Sequence, residues 1–356
     1  MDFLFFGVGS RQEGTGRRNS CWLTSLKDRQ SCTMRTLGAL LSLLLIAHTE
    51  GSGHSWTYPE ETEGDGAAWS SQYPTCAGKE QSPINIQTSQ VSENKALRPL
   101  KLSGYGLQEG EFQLINNGHS AQLSLPSSMQ IIGGMSHVYT AVQLHFHWGG
   151  KTAKFHGSEH RINGVQYDSE LHILHYNSEQ YNSSNEAQGQ TNGLAVVSVL
   201  IKAKEDQENV HYEKLFSYLP KISNVGDNVT LSSIEIQHLL PHDYSRYYRY
   251  NGSLTTPPCS ENVTWTVLAE PVIISKAQLD ELQNLLLNSN HQSLQNNFRK
   301  VKPLNNRRVE ANFSPKEEKA LHTHSPNTWS CQKGKESQSQ SKPKHKNKAA
   351  KRHSDH

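Results

Sequence analysis

Several things are missing from this 356-residue chain, and each absence narrows the reading. Net charge is only +2, so no global excess of one sign points to nucleic acid as a partner. No segment supplies the roughly 20 apolar residues that a membrane-spanning helix needs. The best candidate, Leu37 to Ala47, has eleven residues. There is no internal repeat, and no His-Glu-x-x-His string, which argues against a zincin. Cysteine is scarce, five in all, and three of the five lie outside the region that reads as folded.

What is present suits one large core with tails. Hydrophobic residues make up 34% of the chain, enough for a domain of about 250 residues. Leu37 to Ala47 follows a basic stretch (Arg17, Arg18, Lys27, Arg29, Arg35) and precedes small residues near Thr49 to Gly53. That is the layout of a secretory signal, expected over residues 34–53 with Met34 as its natural start. Residues 1–33 then form an atypical N-terminal extension. Cys21 and Cys32 would leave with the signal, and Cys331 lies in a polar tail. Cys76 and Cys259 remain, a natural disulfide pair in an oxidising compartment or, failing that, two free thiols. Residues 315–356 are rich in Lys, Ser, Gln and His; from 316 on they carry ten Lys/Arg against four Asp/Glu, so a disordered basic tail is expected. The folded body is expected over residues 54–314.

Inside that body, short apolar runs recur between turn signals from Ile84 to about Phe313. They predict strands near Ile84 to Ile86, Phe112 to Ile115, Ala121 to Leu125, Met129 to Ile132, Ala141 to Trp148, Leu171 to Tyr176 and Val263 to Leu268. Leu194 to Ile201 is continuously apolar, as expected of a central strand buried on both faces. Helical patterns are few, over Gln207 to Leu219 and over Ser275 to Leu287, the latter opening on a Ser cap. The reading is α+β, a strand-dominated single domain with a few surface helices.

Val142 to Trp148 carries the chemistry. Its alternation sends Val142, Leu144, Phe146 and Trp148 one way and Gln143, His145 and His147 the other. Two imidazoles on one strand face supply two corners of a metal site, although strand histidines also serve as plain hydrogen-bonding groups. A third imidazole comes from Glu170-Leu171-His172. Glu170 stands two residues before His172, and Gln143 two before His145, where each can accept the ligand ring's other N–H and fix its tautomer. Three neutral imidazoles with such acceptors match a catalytic zinc site, with three protein ligands and an open position.

These residues sit within a longer match. The strings QSPINI (81–86), NNGH (116–119), QLHFHWG (143–149), SEH (158–160), ELHILH (170–175), GLAV (193–196) and GSLTTPPC (252–259) make the chain resemble the α-class carbonic anhydrases across about Trp56 to Phe313. The resemblance implies a large central twisted, mostly antiparallel β-sheet, with Ser82–Pro83 and Pro257–Pro258 cis. It implies Zn²⁺ on His145, His147 and His172, and in this family zinc is known to lower the pKa of bound water to about 7. It also implies reversible hydration of CO₂ to bicarbonate and a proton, with weak esterase activity as a by-product. His119 would shuttle the proton, since an imidazole of pKa about 6.5 both takes and releases one near neutrality. Thr255 would donate to Glu159 and orient the nucleophile. Leu174, Val196, Leu254, Val263 and Trp265, beside Thr255 and Thr256, would bind substrate, and Tyr58, Asn117 and Gln122 would carry the solvent network. Sulfonamides or anions would inhibit at the metal.

Signal, cysteine pair and sequons align the chain best with secreted, extracellular members of that family. The five sequons begin at Asn182, Asn228, Asn251, Asn262 and Asn312. Asn182 and Asn228 read as polar loops, Asn262 as the start of a strand. Residues 1–33 and the basic tail depart from the family pattern, which bears on secretion and assembly and not on the zinc constellation. A non-catalytic binding module on the same fold is the rival reading. Such modules lack one or more zinc histidines, whereas this chain keeps all three.

Overall fold

A computed structural model of the protein describes residues 56–58, 65–150 and 156–315. The expected extension over 1–33, the signal over 34–53 and the basic tail from 316 on lie outside the described residues.

The alternating runs form strands, and most pair with a near neighbour in sequence. In chain order they are β1 (Asn85–Ile86), β2 (Ser92–Glu93), β3 (Lys101–Ser103), β4 (Gln108–Asn116), β5 (Ala121–Ser124), β6 (Gln130–Gly133), β7 (Tyr139–Trp148) and β8 (Arg161–Ile162). There follow β9 (Val165–Gln166), β10 (Ser169–Asn177), β11 (Leu194–Lys204), β12 (Asn228–Ile234), β13 (Tyr247–Ser253), β14 (Glu261–Leu268), β15 (Val272–Ser275) and β16 (Glu310–Ala311). The helices are α1 (Asp65–Gln72), α2 (Ser184–Ala187), α3 (Val210–Phe216) and α4 (Lys276–Asn284). One large sheet runs β12-β4-β5-β7-β10-β11-β14-β13-β16-β2, while β1, β8 and β9 make a small second one. Its pairings are mostly antiparallel, but β11 pairs in parallel with β14 and β15, and β16 with β2, so the sheet is mixed.

Two cores lie on opposite faces of this sheet. Leu144, Phe146 and Trp148 of β7 join Ala195, Val197 and Val199 of β11 on one face, under Tyr212 and Phe216 of α3 and Leu282 of α4. Val196 and Leu200 of β11 join Val263, Trp265 and Val267 of β14 on the other. The run Leu194 to Ile201 of β11, apolar but for Ser198, is therefore buried on both faces, as expected. Helix α4 begins as its sequence indicates, with a capping box between Ser275 and Gln278. Helix α3 is shorter than the predicted Gln207 to Leu219, because the Asn209 side chain caps it by accepting from His211 and Tyr212 N–H.

The structure corrects two local expectations. The alternation of β7 starts at Gln143 and not at Val142. The register against β10 shifts between Leu174 and His175, skipping Val142, and Ala141 shares the core with Leu144. An extra residue in a bulge reverses the side-chain order beyond it. Asn228 opens β12 and does not sit in a loop, since its segment pairs with β4 from Asn228↔Ile115 to Ile234↔Gln108. Asn182, Asn228, Asn251 and Asn262 are exposed. Asn312 is half-buried with its amide engaged, accepting from Tyr247 N–H and donating to Ser245 C=O. Both expected cis bonds, Ser82–Pro83 and Pro257–Pro258, are present.

His175 is buried beneath this sheet, with its Nε2 2.5 Å from the Tyr105 hydroxyl. Burial lowers its pKa to about 4. The unfolded chain therefore binds a proton more readily, and stability is lost as pH falls from about 6.5 toward 4, by roughly 3 kcal/mol once complete. Denaturant midpoints of the wild type should drop more steeply between pH 7 and 4.5 than those of His175→Gln. Parallel curves would remove His175 as the source.

Candidate metal centre

The strand register brings the expected ligands together in rows. Across the sheet, Gln122 of β5 faces His145 of β7, His145 faces His172 of β10, and His172 faces Ser198 of β11. In the next row His147 faces Glu170. On the far side of His172 the row is Gln143, Leu174, Val196 and Trp265. The three ligands thus share one face because β7 and β10 have period two and pair in this register.

Ligand atoms of His145, His147 and His172 all lie within 4.8 Å of one another. Each ring's outer nitrogen meets an acceptor. His145 Nδ1 lies 2.9 Å from Gln143 Oε1, His147 Nδ1 2.7 Å from the Asn297 carbonyl, and His172 Nε2 2.7 Å from Glu170 Oε1. An acceptor outside requires N–H there, which leaves the inner nitrogens as lone pairs. His147 Nε2 and His172 Nδ1 are only 3.0 Å apart. Two lone pairs at that distance repel unless a cation or proton lies between them. Burial also holds all three pKa values below the usual imidazole value, that of His147 at about 4, so protons compete weakly at neutral pH. The donor set fits Zn²⁺: three neutral nitrogens, inward lone pairs, and no carboxylate among the expected ligands.

Glu170 anchors the arrangement. It is fully buried, and its Oε1 accepts from His172 and His160 at 2.7 Å each and from the Ser198 hydroxyl at 2.5 Å. Its Oε2 accepts from the Glu159 and His160 N–H groups at 2.8 Å. Burial alone would raise its pKa, but His160 and His172 outweigh that and hold it well below the carboxylate range. Behind His160 a relay continues: the Tyr250 hydroxyl lies 2.7 Å from His160 Nε2 and 2.8 Å from Ser82 Oγ.

Glu159 is also buried, at 1% exposure. Its Oε1 accepts from Arg299 N–H, while Oε2 has no hydrogen-bond partner of ordinary geometry and lies 3.5 Å from His147 Nε2. Burial raises its pKa to about 7, opposed by His172 and by the Thr255 hydroxyl beside it. A cation among the histidines would lower it further and keep the group an acceptor.

Around the ligands, Val196, Val263 and Trp265 are buried in one apolar cluster, with Leu174 and Leu254 partly buried against it. On the polar side, Asn117 Nδ2 donates to Gln122 Oε1, and Asn117 Oδ1 accepts from His119 N–H. The His119 ring stacks on Trp56 at 3.8 Å, and burial lowers its pKa below 6.5. Trp56 and Tyr58 pack on Trp69 and on the Cys76–Cys259 disulfide, which is formed. The disulfide sits at the Thr255 loop, where Cys259 N–H donates to the Thr256 carbonyl and Leu254 N–H to that of Ser260.

Sequence reasoning missed His160, Ser198, Tyr250, Ser82, Asn297 and Arg299. Ser198 left a signal, as the one polar residue in the apolar run of β11. Asn297 left none: it meets His147 through a backbone carbonyl 150 residues away. Its buried side chain also accepts from Trp148 N–H and donates to the His119 carbonyl.

A mixed sheet that brings three imidazoles together with their outer nitrogens on acceptors defines a catalytic zinc protein, and the chain belongs to the eukaryotic-type carbonic anhydrase family, whose model matches residues 64–313. It is thereby a zinc lyase that interconverts CO₂ and bicarbonate. It is 46% identical over 273 residues to carbonic anhydrase 6 of Bos taurus, covering 77% of this chain and 85% of that one. It is 44% identical to carbonic anhydrase 6 of Homo sapiens (80% and 92% covered) and 40% identical to carbonic anhydrase 12 of Homo sapiens (79% and 81%).

Loss of the Glu170 charge should free the His172 ring. Glu170→Gln is expected to weaken zinc binding about 10- to 100-fold in competition with a chelator. Gln143→Ala removes a single neutral acceptor and should cost less. Equal losses would mean that Glu170 acts only through packing.

Proposed function

We propose that CO₂ hydration runs on a division of labour among these side chains, outside the cell. The observation that carries this reading is the grouping of three inward imidazole nitrogens beside the buried Glu159 and Thr255 and next to the apolar cluster of Val196, Val263 and Trp265. When bound by His145, His147 and His172, zinc supplies the Lewis acid that makes water a nucleophile at neutral pH. Glu159 can only accept, so Thr255 donates to it and keeps a lone pair for the attacking water. That choice of donor orients the nucleophile. Leu174, Val196, Leu254, Val263 and Trp265 present no donors along the apolar wall, which suits CO₂ and excludes competing water. Trp265 spends its N–H on the Ser253 carbonyl at 3.0 Å, so its ring faces the cavity as an apolar body. Thr256 borders the same pocket.

His119 moves the proton out. With its pKa below 6.5, it is neutral at pH 7 and accepts a proton through the network that Tyr58, Asn117 and Gln122 line, then releases it to solvent. The stacked Trp56 holds the ring in place. Export follows from the signal-like segment 34–53, the disulfide and the exposed sequons.

The test is CO₂ hydration by protein purified from culture medium, with zinc content measured beside a His147→Ala variant. Fast, sulfonamide-sensitive hydration with about one zinc, both lost in His147→Ala, is the expected result. Folded, secreted protein with neither zinc nor activity would overturn the catalytic reading. In a second experiment, His119→Ala should keep its zinc and lose kcat by about 100-fold in dilute buffer. Added imidazole should restore the rate, and a variant indifferent to imidazole would rule out proton transfer as its role.

A further inference from the structure

On the face of β13 and β14 turned away from the metal lies a groove that the reaction does not use. Period two sends Tyr250 toward His160 and sends Arg249 the other way, to pair with Thr266 of β14. Two adjoining cavities of about 350 and 430 Å³ share Arg249 and Thr264 in their walls. Arg98 lines the first, and Arg307 and Arg308 the second. Glu80 and Glu310 line the second as well, leaving four guanidiniums against two carboxylates.

Arg249 is the informative member. Its Nε donates to Thr266 Oγ1 at 3.0 Å and one terminal nitrogen to the Gly134 carbonyl at 3.3 Å, and its plane lies 4.8 Å from the Tyr247 ring. Glu310 stands opposite it in the strand register, yet among the described residues no carboxylate forms an ion pair with it. Burial lowers its pKa, and Tyr247, Tyr139 and Glu310 oppose that shift. A half-buried guanidinium that forms no ion pair still has capacity for an anion, whose acceptor oxygens would make charge-assisted bonds with it. Arg307 spends its donors on the carbonyls of Leu304, Asn251, Gln81 and Pro303, so it contributes charge more than contacts. Arg98 and Arg308 are exposed at the ends of the groove.

We propose that this groove binds sulfate or phosphate oxyanions, with Arg249 at its centre and Arg98 and Arg308 as flanking contacts. A tetrahedral oxyanion carries enough acceptor oxygens to meet more than one arginine at once. Two cavities joined at Arg249 also suit a ligand bearing several such groups, such as a sulfated glycan. The site is independent of the zinc chemistry, so either can fail without the other.

The test is calorimetric titration of the zinc-loaded full chain at low ionic strength, with a sulfonamide occupying the metal so that anions cannot bind there. Every protein compared carries Asn251→Gln, which removes the sequon at the groove's rim. The probes are inorganic sulfate, a sulfated heparin tetrasaccharide and its desulfated counterpart. Both sulfated probes should bind and the desulfated one should not. Tighter binding of the tetrasaccharide identifies a glycan as the source, and equal binding per sulfate identifies the free ion. Arg249→Gln should lower affinity at least tenfold and Arg308→Gln severalfold, with CO₂ hydration unchanged in both. Arg308 is exposed, so its variant tests the site even if Arg249→Gln folds poorly. No binding of either sulfated probe, or affinity unchanged in the two variants, overturns the proposal.

Discussion

One buried carboxylate holds the centre of this protein together. Glu170 has no exposure to solvent, and an ionised carboxylate stripped of water costs several kcal/mol unless donors replace it. Five donors do so: two imidazole N–H groups, one hydroxyl and two backbone N–H groups. With both oxygens saturated, Glu170 can act only as an acceptor. His172 must then carry its proton on Nε2 and turn Nδ1 inward. His160 must carry its proton on Nδ1, accept on Nε2 from Tyr250, and so direct the Tyr250 hydroxyl away from Ser82 Oγ, which donates in turn. One charge fixes the sense of a relay that runs from the metal ligands to the cis Ser82–Pro83 turn.

Glu159, one residue from His160, is in the opposite condition. It has one firm donor, Arg299 N–H, and one oxygen left short of partners beside the ligand nitrogens. Two buried carboxylates so close together therefore do different work. The saturated one sets tautomers and stays ionised. The unsaturated one keeps an oxygen free to draw the Thr255 proton and is sensitive to whatever charge the histidines hold. The segment around Asn297 and Arg299 braces both halves, since its backbone fixes His147 and Glu159 and its Asn297 side chain ties β7 to His119.

Much of this was legible in the chain, and the limits have physical causes. Periodicity found β7, β10, β11 and β14 because each buries an apolar face, and it put the three histidines on one side. It missed β13, whose Tyr247-Tyr248-Arg249-Tyr250 run has no apolar alternation although its aromatic rings are buried. It misjudged Val142, because a bulge is a property of pairing and not of one strand's sequence. Gln143 and Glu170 were found since they stand two residues from their histidines. His160 and Tyr250 were not, since they reach the ligands only through the fold, and the acceptor for His147 is a backbone carbonyl that any residue could supply. His119 and Thr255 came from the family resemblance alone. By composition, one is a turn histidine and the other a loop hydroxyl.

β13 shows how tightly these demands are coupled. On one face Tyr250 closes the relay to Glu170; on the other Arg249 sits over Thr266 between two cavities. The strand is pinned on both sides, by β14 from Tyr247↔Leu268 onward and by β16 at Tyr248↔Ala311 and Arg249↔Glu310. A slip of one residue would exchange the two faces, taking the phenol from His160 and putting a guanidinium beside the apolar wall. The register that serves the metal centre therefore also fixes the position of the arginine, and a sequence change tolerated by the outer groove is acceptable to the site only if that pairing is kept.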